Sequence, residues 1–132
     1  MKKTLILASA ALVLAVSGAF AGNVALVDQH GHGNGQLTMQ TGSNLAFTGQ
    51  YGKHNGAITR QAGIGNAAAT VQTGKRNLAM TSQAGLGNGA MTMQDGQGNL
   101  SDTSQHGTGN TSLTVQSSGD PAPCDTPAVA AN

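Results

Sequence analysis

The chain has 132 residues, 20 of them Gly, with one Tyr, two Phe and no Trp, and a formal net charge of +1. So few large apolar side chains exclude an ordinary globular core, and so few charges exclude holding a polyanion by bulk electrostatics. A lone Cys, Cys124, excludes an internal disulfide framework and leaves one thiol able to bridge two chains. Two outcomes remain: disorder, or order achieved by repetition.

Lys2 and Lys3 precede an apolar run from Leu5 to Val16, followed by Ser17-Gly18-Ala19-Phe20-Ala21, which has the A-x-A form of a secretory cleavage site. Residues 1–21 are predicted to be a removable signal peptide and not a membrane anchor, because the run is short of the ~20 residues a span needs. From Gly22 onward four cations (Lys53, Arg60, Lys75, Arg76) face five Asp and no Glu, a net charge of −1.

A repeat then occupies residues 22–116. Seven-residue segments of the form N-x5-Q run 23–29, 34–40, 44–50, 55–61, 66–72, 77–83, 88–94, 99–105 and 110–116, nine in all. Their first residues are Asn23, Asn34, Asn44, Asn55, Asn66, Asn77, Asn88, Asn99 and Asn110. Their last are Gln29, Gln40, Gln50, Gln61, Gln72, Gln83, Gln94, Gln105 and Gln116. Each of the eight connections carries a Gly two places after the Gln: Gly31, Gly42, Gly52, Gly63, Gly74, Gly85, Gly96 and Gly107. Gly and Asn tolerate positive φ, so the connections read as turns, the second (QTGSN) being one residue short and hence tighter. Seven residues at ~3.3 Å each make a strand of ordinary length.

Parity decides which face points inward. Counting Asn as position zero, the even positions hold Asn, mostly Ala, Thr in eight of nine segments, and Gln. The odd positions hold larger apolar residues but also Asp28, Arg60 and Asp102. Burying those unpaired charges would cost several kcal/mol each, so the uncharged even face is expected inside. Buried Asn and Gln are tolerable only if each amide bonds its copy one rung away or the turn backbone. The expected fold is all-β: a β-solenoid with parallel cross-β pairing, two facing sheets, about 22 residues per coil and about four and a half rungs. Residues 117–132 hold all three Pro (Pro121, Pro123, Pro127) and are expected to form a flexible tail, since Pro cannot extend a ladder.

The motif Q-x-G-x-x-N-x-A-x-x-x-Q resembles the curlin repeat of bacterial curli, the extracellular amyloid fibres of biofilms, over residues 23–116. The resemblance implies a secreted subunit that crosses the outer membrane unfolded through a pore, folds at the cell surface and stacks end to end on its own kind, with a second curlin-like subunit as partner. It also implies that the Gln and Asn columns form the structural ladder. The chain departs from the family pattern in having no Gly/Asn-rich segment before the first repeat, Asn at the head of every segment, Thr at the fourth position, and the tail.

Alternation of turns between two edges would gather His30, His32, Lys53, His54, Lys75 and Arg76 on one edge, a possible contact for extracellular DNA or acidic polysaccharide. His30 and His32 could ligate a metal, but nothing spaced nearby completes a site, and no cofactor is expected. The odd-position row Leu26, Phe47, Ala69, Met91 and Leu113 would fall on one sheet as an exposed apolar face. No nucleophile–base pair or carboxylate pair stands outside the repeat, so no catalytic site is expected. The alternative function is a monomeric ice-binding solenoid using the Thr column Thr38, Thr48, Thr59, Thr70, Thr81, Thr92, Thr103 and Thr114, although parity turns those hydroxyls inward.

Overall fold

A computed structural model describes residues 22–118; the expected signal peptide, the tail from residue 119 and Cys124 lie outside the described residues. Seven strands follow in order: β1 (Val24–His32), β2 (Gly35–Lys53), β3 (Gly56–Lys75), β4 (Leu78–Leu86), β5 (Gly89–Gln97), β6 (Leu100–Thr108) and β7 (Thr111–Ser118). Every pairing is parallel, and partners stand one coil apart: Gly56 pairs with Leu78, and Leu78 with Leu100. The chain is a β-solenoid, as its repeat predicts.

Nine sequence segments become seven strands because β2 and β3 each run through a corner without a break. The short second turn lies inside β2, and its missing residue is absorbed as a register shift between Ser43 and Leu45. Beyond that shift Leu45 pairs with Ala67 and the coil length returns to 22. The first halves of β2 and β3 stack with β4 and β6 as one layer; β1, the second halves of β2 and β3, β5 and β7 form the other.

The space between the layers belongs to the even positions. Ala46, Ala57, Ala68, Ala79 and Ala90 are buried there, as are Thr48, Thr59, Thr70, Thr81, Thr92 and Thr103. The charged odd positions Arg60 and Asp102 are exposed. Charge therefore outweighs side-chain size in choosing the inner face.

The apolar odd-position row does lie in register, Leu26 to Phe47 to Ala69 to Met91 to Leu113. Its expected exposure needs correction. Only its ends are open: Leu45, Phe47, Ala69 and Val71 form a buried cluster against which Val24, Met91 and Met93 pack. At rung spacing large side chains lean over small ones, and the Phe47 ring reaches to the Gly49 backbone. This layer thus buries apolar residues on both faces in its middle.

The glycine two places after each Gln is held by more than its φ. Gly74 has φ of 114°, and a Cβ there would stand 1.9 Å from the carbonyl oxygen of Gly96 in the next coil. The same contact recurs from Gly31 onto Gly52, Gly42 onto Gly63, and Gly63 onto Gly85. Backbone stacks on backbone at each corner, leaving no room for a side chain. By contrast Gly87, with φ of 64°, has nothing within 4 Å of a Cβ. Gly87→Ala should cost only the left-handed penalty of about 1 kcal/mol, whereas Gly74→Ala should cost about 3 kcal/mol or more, strain and overlap together. Urea unfolding midpoints of the two variants measure the difference, and equal losses would contradict the stacking account.

Candidate functional site

Two side-chain columns run the length of the solenoid. In the first, each Gln Nε2 donates to the Gln Oε1 of the next coil: Gln29 to Gln50 at 2.5 Å, Gln40 to Gln61 at 2.7 Å, Gln50 to Gln72 at 2.8 Å and Gln61 to Gln83 at 2.7 Å. The series continues from Gln72 to Gln94, Gln83 to Gln105 and Gln94 to Gln116, each at 2.8 Å. The other Nε2 hydrogen crosses between layers, as when Gln61 donates to the Leu45 carbonyl at 3.0 Å and Gln83 to that of Ala67 at 3.1 Å. One amide therefore ties successive coils and both layers together.

Asn does different work at the other end of each segment. Its Oδ1 accepts the backbone N–H of the Asn one coil on: Asn23 from Asn44, Asn34 from Asn55, Asn44 from Asn66 and Asn55 from Asn77, at 3.1–3.3 Å. Asn66, Asn77 and Asn88 accept likewise from Asn88, Asn99 and Asn110. Its Nδ2 closes its own turn, donating four residues back from Asn77 to Thr73 and from Asn99 to Asp95, and three back from Asn44 to Thr41 across the short turn. Asn44, Asn55, Asn66, Asn77, Asn88 and Asn110 are buried, and their demand for partners is met inside the repeat.

The Thr column is less well served. Among protein atoms the Oγ1 of Thr59, Thr81 and Thr92 and the Oγ of Ser101 have no hydrogen-bond partner, although all are buried. Thr103 and Thr114 face one another across the layers with their hydroxyls 3.4 Å apart. Replacing an orphaned hydroxyl with a methyl of similar size removes a desolvated donor, so Thr81→Val should stabilise the solenoid by about 1 kcal/mol. A denaturation midpoint that falls would show that Thr81 has a partner after all.

The two edges differ in chemistry. On one, His32, Lys53 and Lys75 stand in register with Gln97, and His54 and Arg76 occupy the next place along. All five are exposed, as is His30. His54 and Arg76 have φ of 59° and 58°, the left-handed conformation that Gly33, Gly65, Gly87, Gly98 and Gly109 supply in the other turns. Two basic residues thus sit where the repeat otherwise places glycine, at a conformational cost of about 1 kcal/mol each. The opposite edge carries no Lys, Arg or Asp, and Ile64 and Leu86 are exposed on it in register.

A small polar cluster that the sequence did not suggest joins the first two coils on the basic edge. Tyr51 Oη donates to Asp28 Oδ2 at 2.6 Å, His30 Nδ1 lies 3.0 Å from Asp28 Oδ1, and the His30 and Tyr51 rings stack with centroids 5.5 Å apart. Tyr51 and Asp28 are 23 residues apart, one 21-residue coil plus two, which makes them diagonal neighbours on one face and is the spacing that could have revealed them. The hydrogen bond to Asp28, then burial, then the carboxylate charge push the Tyr51 phenol from 10.0 up to about 12. The unfolded chain loses this proton first as pH rises, so the contribution to stability is complete below about pH 10 and lost as pH passes about 12. As the chain has one Tyr, ultraviolet titration reads it directly: a midpoint near 12 is expected, and Asp28→Asn should lower it.

Among the described residues no three His, Cys, Asp or Glu gather to hold a metal ion, and no helix is long and apolar enough to cross a membrane. No family model matches the chain. A comparison with curated proteins likewise finds no match.

Proposed function

We propose that this chain is a secreted structural subunit of an extracellular, curli-like amyloid fibre that contributes to a biofilm matrix and to cell adhesion. The observation that carries this reading is that, among the described residues, nothing covers either end of the solenoid. β1 lies at one end and β6 and β7 at the other, and no described strand pairs with their outer edges. An edge of unpaired N–H and C=O groups is a template for another strand. Here that edge also displays an amide column in matching register, so a second copy can continue the same backbone and side-chain ladders.

The leader pattern of residues 1–21 supports secretion, and the turn-rich repeat suits a chain exported unfolded through an outer-membrane pore. A second curlin-like subunit would serve as partner at one end. The basic edge, with two residues kept in a strained conformation, is the surface on which DNA or acidic polysaccharide of the matrix would lie. No observation favours the ice-binding alternative, because the Thr column it needs is buried along most of its length.

The test is a thioflavin time course on the chain from Gly22 to Asn132, diluted from denaturant, with diffraction from the product. A lag shortened by preformed fibres, with a ~4.8 Å meridional reflection, is expected. A chain that stays soluble, monomeric and β-rich would refute the fibre.

A further inference from the structure

Nine segments wound two to a coil end half a coil out of phase with where they began, and this sets how two copies can meet. We propose that successive copies join head to tail with a half turn between them, so that the next copy's first segment adds to β6 and its second segment adds to β7. This rests on the fibre reading above and specifies its joint.

The two ends are complementary in height. One layer holds five segments and the other four, so residues 110–116 project half a rung beyond residues 99–105 at the C-terminal end, and residues 23–29 project half a rung beyond residues 34–40 at the N-terminal end. Laying the first segment on β6 fills the step in one layer and brings the second segment onto β7 in the other. Without the half turn, the first segment would lie on β7 and leave a strand-high gap over β6, stranding its backbone groups.

Side-chain chemistry agrees with the half turn. Continuing the register places Leu37 and Met39 of the next copy on Leu113 and Val115. All four are exposed in the single subunit, at 48%, 51%, 62% and 59%. Their meeting covers apolar surface at the joint as Phe47 and its neighbours do within the chain. Each arrangement sets one apolar residue against a carboxylate, Leu26 on Asp102 with the half turn and Asp28 on Val115 without it, so the Leu37 and Met39 contacts decide between them. At the corner, the half turn lays the next copy's turn His30-Gly31-His32 on His106-Gly107-Thr108, glycine on glycine. The last segment offers no obstacle at the other corner: Ser118 stands at the glycine position but its φ is not positive, and its hydroxyl turns back onto Gln97. The amide column also fixes the polarity, since each Gln donates toward the C-terminal end and Gln105 Nε2 would meet Gln29 Oε1 of the next copy.

Two measurements test the joint. In the full chain carrying Cys124→Ser, fibres of the Met39→Cys/Val115→Cys variant should give a ladder of disulfide-linked oligomers. Fibres of Leu26→Cys/Leu113→Cys, a pair that meets only without the half turn, should remain monomeric on a non-reducing gel. The two members of each pair lie at opposite ends of one chain, so any bridge joins two copies. Electron cryomicroscopy of unmodified fibres needs no variant to fold, and should give a rotation near 180° per subunit with a rise of about 22 Å, nine strands at two per ~4.8 Å rung. Cross-linking through 26 and 113, or a rotation near zero, would overturn the half turn while leaving the fibre intact. A chain that forms no fibre would overturn both.

Discussion

A buried primary amide needs partners, and in this chain each Gln and Asn takes one from the same residue one coil away and the rest from backbone carbonyls of the facing layer or its own turn. That single requirement explains why the repeat is so strict. Were the coil one residue longer, Gln61 would face an alanine in place of Gln83, and an amide with donors and acceptors to satisfy would lie in an apolar site. The one turn that is a residue short keeps the rule by placing its irregularity at the corner, at Asn44 between Ser43 and Leu45; the Asn44 side chain still accepts from Asn66 and closes its own turn onto Thr41. Alanine and threonine are small enough to let the two layers approach until a Gln side chain reaches the backbone of the facing layer. A larger residue in that column would pull the layers apart and break those cross-layer bonds.

The fold was legible because spacing and charge both bear on it. Segments eleven residues apart name the strands, and the three charges at odd positions name the inner face. What parity could not deliver was the fate of the outer face. Phe47 and Val71 are buried though they point away from the amides, because a column of side chains at rung spacing covers its own middle. Nor did the turn sequence reveal why glycine is needed at positions such as Gly74. Tolerance of positive φ is visible in a single sequence, whereas contact with the carbonyl of Gly96 belongs to the stacked coil. The Asp28, His30 and Tyr51 cluster escaped for the opposite reason: it breaks the repeat, and a reading built on the repeat passes over what occurs once.

The molecule is more asymmetric than its repeat suggests. One edge is basic where the other carries no Lys or Arg, and the outer face of one layer holds a buried apolar cluster where the other carries Arg60, Ser82 and Asp102. Variation is concentrated at positions that the ladder does not read, namely the residue after each Gln, those between the turn glycine and the Asn, and the odd places in the strands, with Val27, Gln36, Ser101 and Ser112 the departures at inner positions. Inner columns specify a shape common to every coil, and the outer positions are free to carry chemistry peculiar to one coil.

The ladder bonds also determine how such a chain must begin to fold. The Asn and Gln side-chain bonds that join coils and layers span 15 to 22 residues, so no short stretch makes them alone. A solitary chain must close a loop of a whole coil before its first inter-coil bond forms, and must lose that loop's entropy before any return. A chain arriving at an existing end needs no loop closure, because the partner amides and strand edge already stand in place. Long-range order within one molecule becomes short-range order between two, and copying a coil is easier than making the first.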